Sequence, residues 1–97
     1  MTPRPHDDGP EIVVVGSANL DLVVEVDHVP RVGETVLGGD LRRIPGGKGA
    51  NQAVAAARLG RRLAMIGRVG DDDGGRILRA ALDADGVDTS ALLTTAD

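Results

Sequence analysis

The stretch Ile44-Pro45-Gly46-Gly47-Lys48-Gly49-Ala50-Asn51-Gln52-Ala53 constrains this chain more than any other. Its three glycines let the backbone turn tightly and let another group come close. The segment that follows, Ala53-Val54-Ala55-Ala56-Ala57-Arg58-Leu59, predicts a helix closed by Gly60. The glycines therefore stand at a helix N-terminus, where backbone N–H groups lack intrahelical partners. Lys48 is out of place there, because a cation opposes the helix dipole. Two common glycine-rich motifs do not fit. A Walker A loop needs Ser or Thr after its lysine, and here Gly49 follows Lys48 while Arg42 stands where the first glycine belongs. The dinucleotide fingerprint begins at Gly47 and Gly49 but ends on Gln52.

Composition removes several classes of function. A chain of 97 residues has room for one small domain. A formal net charge of −4 leaves no basic footprint for nucleic acid. There is no Phe, Trp or Tyr, so the core must be aliphatic and no ring can stack on a ligand. There is no cysteine for a disulfide, a thiol nucleophile or a metal site. Apolar runs are too short to span a bilayer. Residues 1–11 hold three of the five prolines and no apolar signal core, which predicts a disordered tail, a solvated His6 and a cytoplasmic protein without membrane partners.

The β-branched run Ile12-Val13-Val14-Val15 predicts a parallel strand buried on both faces. Asn19 and Asp21 follow its carboxyl end, where open α/β sheets bind ligands; from these residues alone, a loop Asn and Asp bonding their own backbone is the favoured account. Leu22 to Val29 alternates, predicting a half-exposed strand with His28 at its surface end. After a turn over Pro30 to Thr35, a second strand starts at Thr35 to Leu37, breaks at Gly38-Gly39-Asp40 and resumes at Leu41 to Ile44. Arg58, Arg61, Arg62 and Arg68 read as cations at a solvated helix end. Leu63 to Gly67 predicts another buried strand. Asp71-Asp72-Asp73 reads as the cap of a helix over Gly74 to Asp85, with Ile77, Leu78, Ala81 and Leu82 inward and Gly86 at its end, rather than as a metal site. Val87 to Asp97 begins a further extended segment.

Five segments, in order, resemble the PfkB (ribokinase-like) family of carbohydrate kinases. They are Gly16-Ser17-Ala18-Asn19-Leu20-Asp21, Pro30-Arg31-Val32-Gly33-Glu34-Thr35, Gly46 to Ala53, Val69-Gly70-Asp71-Asp72-Asp73-Gly74 and Gly86-Val87-Asp88-Thr89. The resemblance runs from about Ile12 to the end. It implies the N-terminal part of a three-layer α/β/α fold with a parallel sheet and a small β lid over about 22–44. It implies ATP-dependent phosphorylation of a sugar, with ATP and Mg2+ as cofactors and a monovalent cation as a further candidate. Asn19, Asp21, Gly47, Lys48 and Asn51 match the family's sugar-binding positions. Lys48 and the Asn-Gln-Ala continuation favour D-ribose; fructose or a 2-keto-sugar acid remains the alternative substrate, and a non-catalytic sugar- or partner-binding fragment the alternative function. The family's catalytic aspartate lies in a Gly-Ala-Gly-Asp segment with the ATP pocket, and these 97 residues contain neither. The expectation is thus a sugar-binding half without catalytic, nucleotide or metal residues, in which the lid strands offer a surface for a homodimer.

Overall fold

A computed structural model describes residues 9–96. Most of the expected disordered tail, with His6, lies outside the described residues. The apolar run Ile12–Val15 is strand β1, and Leu63–Gly70 is β4. They pair in parallel, Ile12 opposite Leu63 through Val15 opposite Ile66. A parallel pair needs a long crossover. Here the crossover consists of β2 (Asn19–Val23), β3 (Arg42–Gly46) and helix α1 (Lys48–Arg58). Helix α2 (Asp73–Ala84) then returns the chain to β5 (Leu92–Thr95), parallel to β4 with Gly67 opposite Leu92. The central sheet has the order β1-β4-β5, and β2 and β3 form a separate antiparallel pair.

Local chemistry sets the helix ends. α1 stops at Leu59 because Gly60 takes φ +85°, a left-handed conformation that suits glycine. At the start of α2 the Asp72 carboxylate accepts a 2.8 Å hydrogen bond from the Gly75 N–H, while Asp73 pairs with Arg76 at 2.7 Å. Two of the three consecutive aspartates are thus engaged in starting the helix. At its far end Arg79 donates to the carbonyls of Thr89 and Leu92, and the Thr89 hydroxyl donates to Asp83. These bonds tie α2 to the segment entering β5.

The core lies between one face of β4 and the two helices. Leu63, Met65 and Val69 alternate onto that face and meet Ala50 and Ala53 of α1, Leu78 and Leu82 of α2, Val87 and Leu92. Ile77 and Ala81 are half-buried on the flank of α2. Met65 is fully buried, worth about 1.5–3 kcal/mol relative to an exposed side chain.

Two expectations need correction. β1 and β4 were expected to be covered on both faces, yet Val13 and Val15 are 51% and 76% exposed, and Ile66 and Leu93 share their open face. Successive strand residues point to opposite sides, and among the described residues only one side has helices. The alternation over Leu22 to Val29 does not make a strand: β2 ends at Val23, and residues 24–41 carry no strand. A ladder needs a partner in register. Here only Asn19 to Val23 has one, from Asn19 opposite Gly46 to Val23 opposite Arg42, and beyond it Gly39 N–H to Glu25 O stands as one isolated bond. The hairpin-like pairing holds, but its strands are 19–23 and 42–46. The arginines are exposed, as expected, and partnered: Arg58 with Asp85, Arg61 and Arg62 with Glu11, while Arg68 lies within β4 rather than at a helix end and donates to the Thr95 hydroxyl. His28 is exposed, as expected, beside Glu34. Among the described residues no helix is long and apolar enough to cross a membrane.

The start of α2 gives a test. Asp72→Ala should lower stability by about 1 kcal/mol, read as a lower urea midpoint by circular dichroism, whereas Asp71→Ala should stay within about 0.5 kcal/mol of the parent. Acid should act here too. The Arg76 hydrogen bond and charge hold Asp73 below its usual 3.8, and the Ser90 N–H does the same for Asp88. A folded-state value below the unfolded one stabilises fully above about pH 3.8 and loses that contribution as pH falls through the folded value. Helicity should therefore begin to drop below that pH, and Asp73→Asn should make the drop shallower.

Candidate functional site

The glycine-rich turn is where three backbones meet. The first turn of α1 rests on the loop leaving β1, with the Ala50 N–H donating to Ser17 O at 3.0 Å. Gly47 precedes the helix with φ +100°, which other residues rarely adopt, and a Cβ on it would lie 2.9 Å from Asn19 N. A Cβ on Gly49 would lie 2.9 Å from the Gly16 Cα, and one on Gly67 of β4 would lie 2.7 Å from Gly16 O. The helix therefore meets the residues leaving β1 backbone against backbone, and β4 passes the same Gly16 as closely. The first intrahelical bond is Asn51 N–H to Gly47 O. The amides of Lys48 and Gly49 precede it and remain outside the helix ladder.

The five residues singled out in the sequence occupy this corner. Asn19 pairs with Gly46 across β2 and β3, and Asp21 pairs with Ile44. Strand alternation puts Asn19 and Asp21 on one face and Leu20 on the other. Asp21 Oδ2 is 3.0 Å from where a Cβ on Gly46 would stand, so the carboxylate overhangs the turn. Lys48 is the first residue of α1, and Asn51 follows one turn after Gly47 on the same side of the helix. The side chains of Asn19, Asp21, Lys48 and Asn51 are exposed and have no hydrogen bond or ion pair among the described residues. A carboxylate, two amides, an ammonium and two helix-end N–H groups can together accept from and donate to the hydroxyls of a polyol.

Asn51 has a second neighbourhood. With Pro45 and Gly46 it forms the upper end of a groove of about 540 Å3 between α1 and α2. Ala50, Val54, Leu78 and Leu82 line the groove, and the Arg58–Asp85 pair at 3.1 Å stands at its lower end. Its walls are apolar, unlike the corner above. Among the described residues no group of three His, Cys, Asp or Glu side chains could hold a metal ion. The donor set for a divalent cation does not fit here, since Asp72 and Asp73 are engaged at the start of α2. Sequence reasoning passed over Ser17, whose carbonyl seats α1, and Leu20; the spacing of Gly16, Gly49 and Gly67 was the signal for the close approach.

Residues 10–97 match the pfkB family carbohydrate kinase profile. The chain belongs to that family. A ribokinase of Bacillus subtilis (strain 168) is 56% identical over 78 residues, which cover 80% of this chain and 27% of that protein. Two solved structures are similar. Arabidopsis thaliana ribokinase complexed with ribose and ATP superposes with a TM-score of 0.77 at 40% identity, covering 89% of this chain and 28% of that one. Thermotoga maritima ribokinase superposes with a TM-score of 0.81 at 35% identity, covering 90% and 29%. The pfkB-family chain thus spans little more than a quarter of the length of these relatives. Its parallel sheet and its one layer of helices are the N-terminal part of the ribokinase-like α/β fold.

Gly49→Ala tests the backbone contact. The added methyl meets Gly16 backbone rather than a flexible side chain, so α1 must shift. A loss of about 1–3 kcal/mol is expected in urea unfolding. A variant as stable as the parent would mean that the helix is not seated in this way.

Proposed function

We propose that this pfkB-family chain is the sugar-binding part of an ATP-dependent kinase that converts D-ribose to ribose 5-phosphate. One observation carries the reading: Asn19, Asp21, Gly47, Lys48 and Asn51 gather at one exposed corner with their polar side chains unpartnered. Asp21 would accept from two neighbouring hydroxyls. Asn19, Asn51, Lys48 and the free helix-end amides would fix the remaining oxygens, orienting the ring for attack at one hydroxyl. The ribokinase relatives favour ribose over fructose or a 2-keto-sugar acid.

Phosphoryl transfer also needs a base for the acceptor hydroxyl, anion-stabilising donors and a nucleotide–Mg2+ site. In this reading those groups, and a monovalent cation if the enzyme uses one, belong to the other three quarters of a family-length kinase. Residues 12–97 then form the N-terminal part of a single kinase domain, in a cytoplasmic enzyme where ATP is available. The alternative reading is a sugar- or partner-binding piece without catalysis. For the lid we propose a homodimer. A two-stranded sheet is marginal alone, and Leu22 and Ile44 leave apolar surface on opposite faces of β2–β3 that a second copy would cover.

Exchanging residues 12–97 into the matching part of the Bacillus subtilis ribokinase should retain ribose-dependent ADP formation. In that chimera Asp21→Asn should weaken ribose binding in calorimetry by about 1.5–3 kcal/mol, the worth of a charge-assisted hydrogen bond. Arg62→Ala, remote from the corner, should change it little. Equal affinities for the two variants would remove Asp21 from the site. The 97 residues alone are expected to release no ADP in response to ribose and ATP, and a coupled assay showing such release would sink the assignment of catalysis to the rest of the kinase.

A further inference from the structure

Leu20 stands between Asn19 and Asp21 on β2, turned to the opposite face. There it is half-buried against the core formed by β4, α1 and α2. Its Cδ2 lies 3.6 Å from where a Cβ on Gly74 would stand. Gly74 is the second residue of α2, so Leu20 comes down on a helix turn that offers it bare backbone. Leu22, the next β2 residue on that face, is 65% exposed and does not reach the core. Arg43, opposite Leu22 on β3, lies near enough to Asp73 to add a small pull to the one exerted by Arg76. Both strands therefore approach the first turn of α2, and residues 24–41, which join them, carry no strand.

We infer that Leu20 is a positioning residue: it pegs the β2–β3 sheet to the first turn of α2 and so sets where Asn19 and Asp21 stand over the glycine turn. The sheet's other fixed point is its own end at Gly46–Gly47. Without the peg, β2 can pivot about that end and carry both polar side chains with it. A displacement of about 1 Å at groups that orient a substrate can cost about a hundredfold in rate. The part of the inference that concerns ligand placement rests on the sugar-binding reading; the peg itself does not.

Amide hydrogen exchange on the full 97-residue chain separates the two. Leu20→Ala should speed exchange in Asn19–Val23 and Arg42–Gly46 by about tenfold while Leu63–Gly70 keeps its parent rate. Leu20→Met, which conserves volume, should restore the parent pattern. Ribose titrated into the same samples should protect Asn19–Val23 in the parent at about tenfold lower concentration than in Leu20→Ala. The inference is overturned if Leu20→Ala leaves β2–β3 exchange at the parent rate, including the case in which the parent strands show no protection. It is equally overturned if β4 speeds up as much as β2, because Leu20 is then an ordinary core residue. If ribose protects nothing in the parent but Leu20→Ala loosens β2–β3 alone, the peg stands and the sugar-binding reading falls.

Discussion

The contact on which this molecule depends is made by backbone alone. Gly16 at the end of β1, Gly49 in the first turn of α1 and Gly67 in β4 approach so closely that a Cβ on Gly49 or Gly67 would overlap Gly16 backbone. The rest of the α1 face toward the sheet is small as well, with Ala50 and Ala53 buried. A larger residue at Gly49, Ala50 or Ala53 would hold the helix away from the sheet. Close seating brings Gly47 against Asn19 and Gly49 against Gly16 and Ser17, and a polar corner results where β2 departs. The same glycines that allow the packing thus leave the helix N-terminus open to a ligand.

Helix α2 has a double role. It covers one face of β4 through Leu78 and Leu82, and its first turn supports the β2–β3 sheet through Gly74. That turn is well defined, because Asp72 caps it and Asp73 pairs with Arg76. Its last turns are held by Arg79 and by the Asp83–Thr89 bond. A platform fixed at both ends suits a sheet that residues 24–41 do little to hold. The side of the central sheet away from the helices is different. Val13, Val15, Ile66 and Leu93 lie open there, on a chain that spans about a quarter of its relatives' length.

Much of this was legible in the sequence, for local reasons. A helix beginning near Lys48 and ending before Gly60, the Asp72 cap and the stop at Gly86 each depend on residues within one turn of one another. The polar corner was legible through the family resemblance, which singled out Asn19, Asp21, Gly47, Lys48 and Asn51; the first two lie in β2 and the others about the start of α1. Two readings went wrong, and both required a partner. The alternation of Leu22 to Val29 suits a strand, yet β2 stops at Val23, where its register with Arg42 ends. The apolar runs of β1 and β4 suit full burial, yet one face is open.

By itself, then, the sequence determined the helices, their caps, the turn that joins lid to body and the family to which the chain belongs. Those features follow from backbone preferences, capping chemistry and short spacings, which act within a few residues. Only the tertiary structure decided which sheet face is covered, how far β2 and β3 pair, and that Leu20 turns down onto Gly74 while its neighbours turn toward the glycine corner. Burial and strand pairing are relations between distant segments, and their outcome depends on which segments meet.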